Sequence, residues 1–101
     1  MGRTIFLELN EINFDYVRHY IDQGRLPGFN RLLDEHGLIE THAEKRYEQL
    51  EPWIQWVTVH TGRPYQDHEI FRLGDIVGRP VPQFFEELEA QGHTVGAISP
   101  M

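Results

Sequence analysis

Thr4-Ile5-Phe6-Leu7-Glu8-Leu9-Asn10-Glu11-Ile12-Asn13-Phe14 is the stretch on which the reading of the fold turns. Residues 4–9 are mostly apolar, and their β-branched and aromatic content predicts a strand. Asn10-Glu11-Ile12-Asn13 then turns the chain, and Asn13 is placed to cap a helix over residues 14–23. In that helix Phe14, Val17 and Ile21 fall at i, i+3 and i+7, giving one apolar stripe. Gly24 suits the helix end. A strand followed at once by an amphipathic helix is the start of a β-α unit.

The same alternation is read downstream. Pro27 opens a second helix, with Phe29, Leu32 and Leu33 facing inward and Gly37 ending it. Residues 38–42 read as another short strand. The charged run Glu44-Lys45-Arg46 leads into a helix over about residues 51–60, where Trp53, Trp56, Val57 and His60 share a face and Pro52 fits the first turn. Thr61-Gly62-Arg63-Pro64 stops it. Residues 65–78 read as loop, with an extended piece at 70–73. Pro82 starts a last helix, with Phe84, Phe85 and Leu88 inward and Gly92 closing it, and residues 93–99 read as a strand. Alternating strands and helices imply right-handed crossovers, so the expected fold is α/β, a mainly parallel sheet with flanking helices, in one structural unit over residues 1–101. Ligands in such folds bind at the carboxyl ends of the strands, and this chain stops just beyond one. The expectation is therefore an N-terminal portion of a larger α/β domain, whose uncovered sheet edge invites self-association.

Charge and composition narrow the function. Nine Lys and Arg stand against 16 Asp and Glu, a formal charge of −7, and no basic cluster offsets it. That balance repels phosphate backbones and anionic lipid, which argues against nucleic acid and membrane surfaces as partners. The absence of cysteine excludes disulfides, thiolate metal sites and a Cys nucleophile. No run approaches the about 18 apolar residues of a membrane span, and no secretory signal is read, so a cytoplasmic location is expected.

Two places offer chemistry. Asn10 and Glu11, at the end of the first predicted strand, present a side-chain carbonyl and a carboxylate, donors suited to a hard or borderline divalent cation. Read locally, the same pair makes a turn with a solvated acid. Glu51 stands at the start of the 51–60 helix, where free N–H groups and the positive dipole end favour an anion. Its plainer role is to complement that dipole. The six histidines show no i, i+4 pair of the kind that holds a metal on a helix, and most of them read as surface or helix-end residues; His60 and His68 straddle a turn that would allow them to meet.

The order of short signatures is more specific than any one of them. Leu9-Asn10-Glu11-Ile12-Asn13-Phe14 and Gly24-Arg25-Leu26-Pro27-Gly28-Phe29-Asn30-Arg31-Leu32, then Trp56-Val57-Thr58-Val59-His60-Thr61-Gly62-Arg63-Pro64 with His68-Glu69-Ile70-Phe71, then Phe84-Phe85-Glu86-Glu87-Leu88 and Gly92-His93-Thr94-Val95-Gly96, follow one another in a familiar sequence. Together they resemble the opening of the alkaline phosphatase superfamily, in the branch of type I phosphodiesterases and nucleotide pyrophosphatases. That family reads as a strand, Asp-Gly, a helix, a G-R-L-P-N stretch, and later a W…T-G-x-x-P…H-G-I-F stretch. The resemblance implies a doubly wound α/β fold with sulfatase-like relatives. It further implies two divalent metals such as zinc or manganese, and hydrolysis of small phosphate or sulfate esters through a Ser or Thr nucleophile at a helix N-terminus. Further Asp and His ligands lie later in the family's chains. Here Asn10 stands at the first metal-ligand position and Glu11 at the following Gly. Glu51 stands at the nucleophile position, and Glu69 replaces the Gly of H-G-I-F. The expectation is a member of a hydrolase family that is inactive as this chain, or a non-catalytic binding or regulatory relative.

Overall fold

A computed structural model describes residues 2–98, so the end of the segment read as a strand over 93–99 lies outside the described residues. The chain divides into two compact units, one within residues 1–41 and one within 42–101.

The first unit is a helical hairpin. Helix α1 covers Phe14–Asp22, and the Asn13 side chain accepts from the backbone N–H groups of Asp15 and Tyr16 at 2.9 and 3.2 Å. This cap satisfies two of the donors that a helix start leaves open. Val17 is buried, and Phe14 and Ile21 are half-buried beside it, as the i, i+3, i+7 stripe predicts. Helix α2, Pro27–His36, begins with Pro at its first turn and packs against α1. Phe29 and Leu33 turn inward, but Leu32 is 54% exposed, so the inward face is narrower than the sequence reading had it.

The second unit is built on α3, Pro52–Thr61. A 3-10 turn at Tyr47–Gln49 precedes it, and Gly62 ends it in the left-handed conformation at φ 65°. Two shorter helices pack on α3, namely α4 (Tyr65–His68) and α5 (Phe84–Ala90). Helix α4 falls in a segment read as loop. Its start is held by Glu44, whose carboxylate accepts the Tyr65 N–H at 2.7 Å. Val57, Ile70 and Val81 form the core, with Ile76 packed alongside, and Ile54 is fully enclosed.

The expected α/β fold is corrected on this point. The described residues form five α-helices and no strand. Residues 4–9 and 38–42 adopt no regular structure, the piece at 70–73 is a loop, and residues 93–98 are likewise irregular. The side chains explain why these segments looked like strands: Ile5, Leu7, Ile39 and Ile98 are apolar, yet 91, 76, 90 and 96% exposed. A strand exists only when a neighbour completes its hydrogen-bond ladder, and apolar alternation alone supplies no neighbour. No helix among the described residues is long and apolar enough to cross a membrane.

Candidate functional site

Two buried histidines organise the second unit. His60 sits in the last turn of α3 and is 2% exposed. Its Nδ1 lies 2.6 Å from the Gln83 amide oxygen, which can only accept, so Nδ1 carries the proton. Trp56, Phe84 and Phe85 surround the ring with centroids at 5.7, 5.8 and 5.5 Å. His60 is thereby the hinge pin between α3 and α5.

His68, 1% exposed, closes α4. Its Nδ1 accepts the Ile70 N–H at 3.0 Å, which obliges Nε2 to bear the proton and donate to Thr58 Oγ1, also at 3.0 Å. Thr58 in turn donates back to the Ile54 carbonyl at 3.4 Å. A neutral imidazole with one donor and one acceptor is thus fully used. Burial pushes the His68 imidazole below its ordinary value; nearby Glu44 and, more weakly, Asp67 pull it up, while Arg79 pushes it down.

Both histidines stand at helix ends, as expected for most of the six, but neither is on the surface. They are core residues, each held by its own partners. The signal was present in the sequence: His60 lies at i+7, i+4 and i+3 from Trp53, Trp56 and Val57, the spacing of one buried face.

In front of the first turn of α3 lies an open groove of about 530 Å³, walled by Tyr47, Trp53 and Phe71 and rimmed by Glu48, Glu51 and Arg72. The Trp53 indole N–H donates to the Phe71 carbonyl at 3.1 Å, tying α3 to the following loop. Asp75 Oδ2 accepts from the Phe71 and Arg72 N–H groups at 3.1 and 2.8 Å and holds that loop in a turn. The Trp53 wall and the Phe71–Arg72 loop are therefore held by contacts within the protein.

Glu51 is the N-cap residue of α3, exposed, with extended backbone and no side-chain capping bond. It lines the groove, and it is a carboxylate where the resembled chemistry needs a hydroxyl. Asn10 and Glu11 occupy an exposed turn in the other unit. The expected metal centre does not fit these residues. Asn10 offers a neutral carbonyl and Glu11 one carboxylate, and no three His, Cys, Asp or Glu side chains gather among the described residues. Among the described residues nothing supports the metal binding and hydrolase chemistry that the resemblance implies.

The site defines a small helical unit with a preformed aromatic groove and a histidine-braced core. No family model, curated protein or solved structure matches the chain.

Proposed function

We propose that the chain is a non-catalytic binding relative of the phosphate and sulfate ester hydrolases that its ordered motifs resemble, acting in the cytoplasm. One observation carries the kinship. The non-glycine residues with left-handed backbone among the described residues are Glu11, at φ 56°, and Glu69, at φ 53°. These are the two positions at which the resembled motifs, Asp-Gly and H-G-I-F, carry glycine. Side chains other than glycine pay for that conformation, so its retention at both sites fits a chain whose turns were shaped for glycine. The left-handed turn at Glu69 ends α4, and Arg79 Nη1 donates to the Glu69 carbonyl at 3.1 Å to hold it.

A direct expectation follows for the backbone. Glu69→Gly should raise the melting free energy of the second unit by about 0.5–1 kcal/mol, because glycine meets no steric penalty there. Destabilisation on chemical denaturation would show that the Glu69 side chain, rather than its backbone, matters.

The binding half of the reading rests on the groove. Aromatic walls favour a flat organic group, and Arg72 offers a cation to an ester's anionic end. Glu48 and Glu51 oppose a doubly charged phosphate more than a singly charged sulfate, so an aryl sulfate is the better fit. Titration with p-nitrophenyl sulfate and p-nitrophenyl phosphate, with and without zinc or manganese, tests both halves in one tube. The Trp53 indole resonance should shift, more strongly with the sulfate, and no nitrophenol should be released. Metal-dependent turnover that Glu51→Gln abolishes would overturn the non-catalytic reading, and an unmoved Trp53 resonance would overturn the groove.

A further inference from the structure

We propose that His68 is a proton-sensitive latch on the wall of the groove, so that mild acid releases the 70–72 segment from α3. The inference deepens the groove reading by supplying its regulation, yet it concerns contacts that exist without any ligand.

The geometry leaves no room for a second proton. His68 Nδ1 accepts from the Ile70 N–H, and Nε2 donates to Thr58 on α3. An imidazolium has two N–H donors and no acceptor, so protonation at Nδ1 sets two N–H groups against one another at 3.0 Å. The Ile70 N–H must then move, and Ile70 is a core residue, 2% exposed and packed with Val57 and Val81. The next residue, Phe71, gives its carbonyl to Trp53 and its ring to the groove wall. Displacement of Ile70 therefore acts directly on the contact that shapes the groove.

The surroundings decide whether the proton is stabilised in place. The α3 side presents the neutral Thr58 hydroxyl. Glu44, from the segment before the 3-10 turn, and Asp67, on α4 itself, favour the charged form, whereas Arg79, from the segment before α5, opposes it. The Tyr65 ring stands edge-on at 5.7 Å and offers no charge. Glu44 is already engaged with the Tyr65 N–H, and burial acts against the imidazolium more strongly than either acid acts for it. The outcome is an open state favoured by acid rather than a charged imidazole kept in the closed one.

The test uses the unliganded chain. Between pH 7 and 5 the Trp53 indole resonance should move, and exchange of the Ile70 amide, corrected for its intrinsic rate, should accelerate by up to about tenfold per pH unit below about 6.5. His68→Gln supplies a neutral acceptor and donor, and should abolish both responses. A Trp53 response that persists in His68→Gln, or an Ile70 amide that stays equally protected in the original chain at pH 5, overturns the latch. If the variant does not fold, the Ile70 exchange measurement on the original chain still decides. Failure of the ester titration at pH 7.5 would remove the ligand reading and leave this result untouched.

Discussion

His60→Ala is expected to cost the second unit about 2–4 kcal/mol and to detach α5 from α3. The estimate comes from the cavity left by a ring that is 2% exposed, enclosed by Trp56, Phe84 and Phe85. A second contribution comes from the Gln83 amide oxygen, which loses its donor in a half-buried setting. Small domains have only a few kcal/mol to spare, so much of the population should be unfolded at 25 °C. His60→Phe separates the two effects. It keeps the ring faces against Phe84 and Phe85 but removes the Nδ1 donor, and should cost about 1 kcal/mol. Urea unfolding followed by near-ultraviolet dichroism measures both. An alanine variant as stable as the original would mean that α5 is held by something other than His60.

Acidification gives the second large effect. The folded-state pKa of His68 lies below its unfolded value, so the unfolded chain binds the extra proton first as pH falls. The stability tied to neutral His68 is whole above about pH 6.5 and is lost as pH drops below it, with a slope of at most about 1.4 kcal/mol per pH unit for one proton. His68→Gln should flatten that part of the profile. A stability curve that is level between pH 7 and 5 in the original chain would contradict the assignment of His68 as an obligate neutral residue.

The helices were readable because their determinants are local. Asn13 capping α1, Pro27 and Pro52 in the first turns of α2 and α3, and Gly62 in its left-handed turn all act within a few residues of their position in the chain. Strands differ in kind. Residues 4–9 carry a strand's composition, but whether they pair depends on another segment, and Ile5 and Leu7 stay open to water. Helix α4 was missed because its four residues have no periodicity and their start is held by Glu44, 21 residues away. In the candidate site Glu51, legible as the start of a helix, is the N-cap of α3 and lines the groove. Spacing placed His60 on a buried face, but the Trp53 contact to Phe71, 18 residues on, and the partners of His60 and His68 depend on tertiary neighbours that no spacing rule names. Asn10 and Glu11 were legible as a turn, and the turn is what the chain forms.

The central claim is that the two buried histidines of the second unit, His60 and His68, brace a helical core and are not available to metal or substrate. Nitrogen-15 spectra of the imidazoles at pH 7.5, recorded before and after addition of equimolar zinc, test it most directly. The account predicts a proton on Nδ1 of His60 and a single neutral Nε2–H tautomer for His68, with neither spectrum altered by zinc. Mixed tautomers, or zinc-induced shifts at either ring, would contradict it.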